Sequence, residues 1–544
     1  MKRAIFICII LLAAGLRLYR LGDVPVGFHR DEAFLGYNAY SILKTGKDMT
    51  GNSFPLHLES FLYSPAGYVY ASIPAIALFG LNPFAVRLPS ATAGILTVIV
   101  LYYLAQKLSS KISPEISSLV LALSPWHINL SRTATENTLV VLLLTVATYL
   151  FFVYLHKKRF TTFIYSIFVF ASTYLMYQAP RAFVPILIPL LLVFGWKRIP
   201  KSYRLPIGLI TIACVFIPVI SIMLSLNLSV RIRTVSVLAS QETQLKLDES
   251  LRENTIAGVR PWIARMFHNK LTAYAQVVAN NYFQHFSYEF LLTDAGLPDR
   301  YRVPGSGLMY PLEAIFAIFG SILLALTYPR LAWLVLGWIA FAPFGSALTS
   351  DDVPNLQRTL IIFPALSLVT AFGVTHAFSR FRKIYWTLPL LLATYGFVAY
   401  LHNYYVLQVY HRPWYRHEGY QQLVESVNSV LPKYSKAIIT NHESSPMIFF
   451  LFYNRTDPTL IQRVWQQDKA ADLNTLPFAQ YEFSKESCPV RIDASTSAPR
   501  LTGEPNILYV NFSDCKVKDP RVHEISAIRR SDGTEIFRLL EVTP

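Results

Sequence analysis

The feature that most constrains this chain is a series of apolar blocks, roughly 15 to 22 residues each, separated by short basic clusters. A block of that length crosses bilayer hydrocarbon as a helix, because the helix satisfies its own backbone polar groups where no water can. Composition agrees. The 544 residues are 53% hydrophobic and 15% charged, where soluble domains carry about 25% charged residues. The net charge of +16 lies largely in Lys2-Arg3, Lys107 and Lys111, His156 to Arg159, Lys197 to Arg204, and Arg380 to Lys383. That is the placement of cytoplasmic loops under the positive-inside rule. It also suits anionic membrane lipids and excludes a cytosolic or nucleic-acid-binding reading.

Spans are predicted near 4–19, 88–107, 115–127, 137–155, 160–177, 182–196, 205–224, 309–328, 331–349, 359–378 and 384–402. Met1 to Tyr19 has the charge and length of a signal peptide but no small-residue cleavage site, so it reads as a retained first span. The aromatic stretch Tyr68 to Gly80 would put basic loops on both faces if it crossed. It is therefore expected to lie along the surface as a juxtamembrane or re-entrant helix.

The prediction is a mostly α, polytopic protein of a plasma (inner) membrane, with about eleven crossings and a cytoplasmic N-terminus. The outer face would receive a loop over 20–87, the turns Ser124–Asn137 and Tyr177–Arg181, a large loop over 225–308, the turn Ser350–Arg358, and everything beyond about 403. Residues 1–402 thus form a membrane domain and 403–544 a small extracytoplasmic α/β domain. In that tail Gly419 to Val430 reads as helix, Ala437 to Thr440 and Asn506 to Asn511 as strands, and Ser531-Asp532-Gly533 as a hairpin turn. Cys488 and Cys515 lie there too, where an oxidising compartment would let them pair, though spacing does not establish geometry. Asn-X-Ser/Thr triplets at Asn227, Asn454 and Asn511 are read as coincidental.

The sharpest polar constellation is His29-Arg30-Asp31-Glu32-Ala33, followed by Gly36-Tyr37-Asn38-Ala39-Tyr40. Adjacent carboxylates beyond a first span are usually a solvated loop. Here an aromatic run follows at once and is expected to draw the pair toward the membrane surface. Partial burial there raises a carboxyl pKa, which suits a general base acting on a hydroxyl. Neither zinc-ligand spacing, a phosphate-binding glycine loop nor a nucleophile elbow is present.

Other pieces follow in order: Arg17-Leu18-Tyr19, Lys44-Thr45-Gly46-Lys47-Asp48, Ser64-Pro65-Ala66-Gly67-Tyr68, Arg87-Leu88-Pro89-Ser90, Ser124-Pro125-Trp126-His127 with Ser131-Arg132, Tyr177-Gln178-Ala179-Pro180-Arg181, and Arg358 before Phe363-Pro364-Ala365. Together with the acidic loop they resemble the GT-C fold glycosyltransferases, near the protein O-mannosyltransferase and aminoarabinose-transferase group (glycosyltransferase family 39-like). The resemblance covers most of the membrane part. One departure is Tyr63-Ser64-Pro65-Ala66, where many relatives carry a Lys or a double Pro, so a phosphate contact made there is not carried over to this chain.

The resemblance implies an inverting transfer of a hexose or pentose from a polyprenyl-phosphate carrier to a hydroxyl of a protein, lipid or polysaccharide on the outer face. Asp31 would deprotonate the acceptor, with Glu32 orienting it or holding the site. Glu136 would bind acceptor or sugar, or is simply a helix N-terminal carboxylate favoured by the dipole. A divalent cation, if one is used, falls to Asp31 and Glu136. Arg358, then Arg181, then Arg132 would clamp the carrier phosphate, against the alternative that these arginines snorkel to head groups. Tyr37 and His29 complete the expected substrate-binding set. His127 and His29 also fit as structural histidines. A lipid-linked glycan ligase or polymerase is the nearest rival. A lipid or polysaccharide transporter should carry ionisable residues near its span centres, and the predicted spans hold few, with Glu313 near an end.

Overall fold

The computed structural model describes residues 2–61, 63–225, 234–380, 382–467, 472–493 and 500–544. The Asn227-Leu228-Ser229 triplet and part of the predicted 225–308 loop lie outside the described residues.

Among these, seven helices are long and apolar enough to cross a bilayer: Pro83–Leu108, Glu136–Lys157, Pro180–Arg198, Lys201–Leu224, Pro329–Ala347, Leu356–Arg380 and Ile384–Tyr410. Shorter apolar helices cover Gly67–Phe79, Pro114–Leu123, Phe160–Leu175 and Pro311–Thr327, and the first helix is Lys2–Leu18. The chain is a multi-pass membrane protein. Leu356–Arg380 is the centre of the bundle, with 83% of its most apolar stretch buried by protein, whereas the figure for Ile384–Tyr410 is 6%. So many outward leucines need lipid around them.

Two elements differ from the sequence reading. The segment expected as one span over 115–127 is broken at Ser124. Helix Pro114–Leu123 ends there and a second, Pro125–Ser131, begins with Pro at its first position and the Ser124 hydroxyl accepting from His127 N–H at 3.4 Å. Pro125 disfavours helical backbone at Ser124 and has no N–H to continue the ladder. The last apolar helix also runs on through Tyr410, past the predicted end at 402.

The C-terminal region is a mixed sheet in the order Tyr481–Ser484, Lys436–Thr440, Ile507–Phe512, Glu535–Val542, Val522–Arg529. The first two pairings are parallel and the last two antiparallel. The turn signal at Ser531–Gly533 joins the closing hairpin, with Gly533 at φ 83°. Cys488 and Cys515 are disulfide-bonded, their Cα atoms 5.6 Å apart.

This sheet domain shares its core with the first loop. Phe28, Tyr37, Ile42 and Tyr68 pack in one buried cluster with Tyr420, Phe449, Phe452 and Phe537. The amide of Gln462 donates to Ser41, Thr45 and the Asp48 carbonyl at 3.0–3.2 Å. The two regions far apart in sequence therefore form one body over the end of the bundle where the polar residues collect.

Candidate active site

The acidic pair opens helix Arg30–Thr45. His29 is its N-cap, with extended backbone (φ −66°, ψ 146°), and its Nδ1 accepts from Asp31 N–H at 3.2 Å while His29 N–H donates to Glu32 Oε2 at 3.2 Å. The reciprocal cap satisfies N–H groups left free at a helix start, and the helix dipole favours both carboxylates.

The two carboxylates then have different fates. Glu32 is buried and bidentate to buried Arg87, at 2.9 and 3.0 Å, and also accepts from Ala134 N–H at 2.8 Å. Arg87 in turn donates to the carbonyls of Leu21, Pro25 and Gly27 at 2.7–3.3 Å. Every strong acceptor position of Glu32 is occupied, so it ties the first loop to helix Pro83–Leu108 and to the turn before Glu136. Asp31 instead faces a cavity of about 860 Å³. Its Oδ2 meets His29 Nδ1 and Arg300 Nη1, each at 3.4 Å, and its Oδ1 meets Arg30 Nε at 3.8 Å.

This corrects the expectation that burial makes Asp31 more basic. Burial does push its carboxyl pKa upward, but His29, Arg300 and Arg30 together outweigh that and hold it below the ordinary carboxylate range. Glu32 is likewise lowered: burial acts upward, and Arg87 with the two backbone N–H donors acts downward more strongly. Asp31 is thus ionised at any physiological pH and can accept a proton without first losing one.

Glu136 also lines this cavity, at the first position of helix Glu136–Lys157. His29 lines it while capping, its ring 4.5 Å from that of His417. Tyr177 belongs to this cavity and to a second one of about 500 Å³. The second is walled by apolar residues including Ala182, Val219, Ile222, Met223 and Leu348, with Arg181 and Arg358 in its lining. Arg358 is held by Thr349 Oγ1 and the Asp351 carbonyl, both at 2.7 Å, and by the Asp351 carboxylate at 3.5 Å. Arg181 is 7% exposed and uses only Nη2, toward His57 Nε2 at 3.0 Å and Tyr174 carbonyl at 3.3 Å. Its Nε and Nη1 are buried with no hydrogen-bond partner. Burial and the Arg181 charge push the His57 imidazole down to about 4, so it accepts from Arg181 as a neutral ring.

Two predicted substrate ligands are placed elsewhere. Arg132 is fully buried, donates to the carbonyls of Leu16, Tyr19 and Val24 at 2.6–3.0 Å, and lies over the rings of Tyr404 and Tyr405. It satisfies the end of the first helix and is absent from both cavity walls. Tyr37 is buried in the shared core and donates to Thr456 carbonyl at 3.1 Å, which docks the sheet domain. Conversely, Arg300 was not singled out in the sequence. It sits in an irregular stretch of a large loop with no periodic signal, and only folding brings it to Asp31. His127 lines neither cavity and is buried against Arg17, its Nδ1 2.8 Å from Arg17 Nη2.

Arg30 and Arg300 already supply positive charge to the Asp31 carboxylate, and a divalent cation there would compete with both. Among the described residues no group of three or more His, Cys, Asp or Glu side chains could hold a metal ion.

Residues 65–222 match the family described as dolichyl-phosphate-mannose-protein mannosyltransferase. Among curated proteins, "Putative mannosyltransferase YkcB" of Bacillus subtilis (strain 168) is 31% identical over 105 residues, which span 19% of this chain and 14% of that protein. Among solved structures, ArnT from Cupriavidus metallidurans, crystallised with undecaprenyl phosphate, superposes with a TM-score of 0.51 at 11% identity, over 99% of this chain and 98% of that one. The oligosaccharyltransferase AglB from Archaeoglobus fulgidus, in complex with an inhibitory peptide and a dolichol-phosphate, gives 0.48 at 11% identity, over 83% of this chain and 63% of that one. The likeness to ArnT shows a shared GT-C fold.

Proposed function

We propose that this chain, which has the GT-C fold and over residues 65–222 matches the dolichyl-phosphate-mannose-protein mannosyltransferase family, is a glycosyltransferase that takes a sugar from a polyprenyl-phosphate carrier. The observation that carries this reading is Arg181: a buried guanidinium with two N–H-bearing nitrogens unpartnered, in the wall of an apolar cavity that meets the Asp31 cavity at Tyr177. An apolar trough with an uncompensated cation suits a lipid tail ending in phosphate, since guanidinium pairs bidentately with phosphate oxygens.

The chemistry is a single displacement with inversion. The acceptor oxygen bonds to the anomeric carbon, the bond from that carbon to the phosphate oxygen breaks, and the acceptor proton passes to Asp31. Polyprenyl phosphate leaves with the bonding electrons, its charge met by Arg181 and Arg358. Arg300 holds Asp31 in place, and Glu32 positions it through the helix start. Such a site works mainly by alignment and preorganised charge.

Outer-face placement is supported by the ends of three spans. Pro83–Leu108, Glu136–Lys157 and Pro180–Arg198 begin beside Arg87, Glu136 and Arg181 and end in Lys107, Lys157 and Arg198. The basic ends lie away from the cavities, which under the positive-inside rule supports an outer-face site.

Replacing Arg181 with Met is expected to raise the KM for a polyprenyl-phosphate sugar at least about tenfold. Initial rates against donor concentration check it, and an unchanged KM would remove Arg181 from donor binding. Asp31 also makes a pH prediction. Its lowered pKa keeps the base ionised, so kcat/KM stays level as pH falls through the ordinary carboxylate range. Arg300→Gln withdraws a cation, raises the Asp31 pKa and moves the acid limb to higher pH. An identical limb in the variant would contradict the contact.

A further inference from the structure

The Asp31 cavity is closed on one side by residues from beyond the last span. Pro413–Arg416 form a short turn of helix whose flanks, Arg412 and His417, both have left-handed backbone, φ 48° and 54°. Such a conformation persists in non-glycine residues only where the surroundings enforce it. Here Arg416 donates to the carbonyls of Arg300, Gln408 and Arg302 at 3.0–3.1 Å, and His417 Nδ1 accepts from Arg30 N–H at 3.3 Å. Opposite, Gly27 has φ +79°, and a Cβ there would stand 2.5 Å from the Arg416 carbonyl oxygen. The strap is therefore seated directly on the loop that carries the base.

What the strap presents is not explained by packing. Trp414 and Tyr415 line the cavity yet remain 37% and 43% exposed, their ring centroids 5.9 Å apart at 38°. Glu443, from the sheet domain, lines the same cavity. One of its oxygens accepts from Arg530, while Oε2 is buried without a partner. Two partly exposed rings and a carboxylate oxygen without a partner, all in the lining of one cavity, have the chemistry of a sugar site. The ring C–H face of a pyranose lies against aromatic carbon, and its hydroxyls donate to the carboxylate. The donor arrives with a lipid tail, from the apolar cavity. The strap belongs to the polar domain, so what meets it enters from water.

Building on the glycosyltransferase reading above, we propose that Trp414, Tyr415 and Glu443 form an acceptor subsite for a pyranose glycoside, making the acceptor a sugar hydroxyl rather than a protein side chain. The sheet domain then supplies a wall of the catalytic cavity.

Saturation-transfer-difference NMR on the full chain in nanodiscs tests this, with methyl α-mannopyranoside and methyl β-glucopyranoside as probes and a serine-containing peptide beside them. The expected result is saturation of ring protons of at least one glycoside by the wild type. The signal should weaken at least about tenfold in Trp414→Ala, weaken in Glu443→Gln and survive largely in Trp414→Phe. Thermal melting of each variant reports folding; if Trp414→Ala does not fold, the Glu443→Gln and Trp414→Phe results decide. Equal glycoside signals in wild type and a folded Trp414→Ala, no glycoside signal in the wild type, or saturation of the peptide alone would overturn the subsite. Those outcomes leave donor cleavage untouched. Failure to cleave any donor, with glycoside binding intact, would instead count against the function proposed above.

Discussion

Asp31→Asn is expected to lower kcat for sugar transfer by about 10²–10⁴-fold, the usual contribution of a positioned general base. The change keeps shape and hydrogen-bonding capacity but removes the group that takes the acceptor proton. Donor KM should barely move, because the arginines assigned to the carrier line the neighbouring cavity. Folding should also persist. Asp31 is 33% exposed and its contacts with Arg300 and Arg30 are long, at 3.4 and 3.8 Å, so their loss costs little. Steady-state kinetics beside a thermal melt separate the outcomes. A fall in kcat with KM and melting point retained supports Asp31 as base, and full activity in the variant removes it from the mechanism.

Glu32→Ala is expected to act on stability instead, costing about 3–5 kcal/mol, because it strands Arg87 as an uncompensated buried charge. Arg87 at 1% and Glu32 at 7% side-chain exposure leave no water to take over. The double variant Glu32→Leu/Arg87→Met should recover part of the loss, since apolar pairs of similar volume often replace buried ion pairs at little cost. The pH dependence has a definite sign. Glu32 has a lowered folded pKa, so its stabilisation is present above the unfolded value of 4.5 and is lost as pH falls through the folded value. Melting temperature of wild type and both variants checks this. A Glu32→Ala protein as stable as the wild type would show that the pair does not hold the loop.

Much of the fold was legible because a bilayer imposes a single demand, long apolar helices, on the sequence. The acidic pair was legible as well, since two adjacent carboxylates before an aromatic run are unusual in such a chain. What escaped depends on contacts across large separations. Arg132 looks like a phosphate ligand in sequence, but the carbonyls of Leu16, Tyr19 and Val24 occupy it. Tyr37 looks like a sugar ligand, but Thr456, hundreds of residues away, accepts its hydroxyl. The direction of the Asp31 shift is set by His29 first and then by Arg300 and Arg30, against burial, and of these cations only Arg300 comes from far along the chain. Likewise, nothing in Pro413-Trp414-Tyr415-Arg416 shows that it reaches back to the loop at Gly27.

The most direct test of the account is release of polyprenyl phosphate by the purified wild-type protein in nanodiscs, given a panel of radiolabelled undecaprenyl- and dolichyl-phosphate hexoses and pentoses with sugar acceptors. At least one donor is expected to be consumed, one polyprenyl phosphate appearing for each labelled product, with the anomeric configuration inverted. A folded protein that consumes none of them, or that transfers with retention, would contradict it.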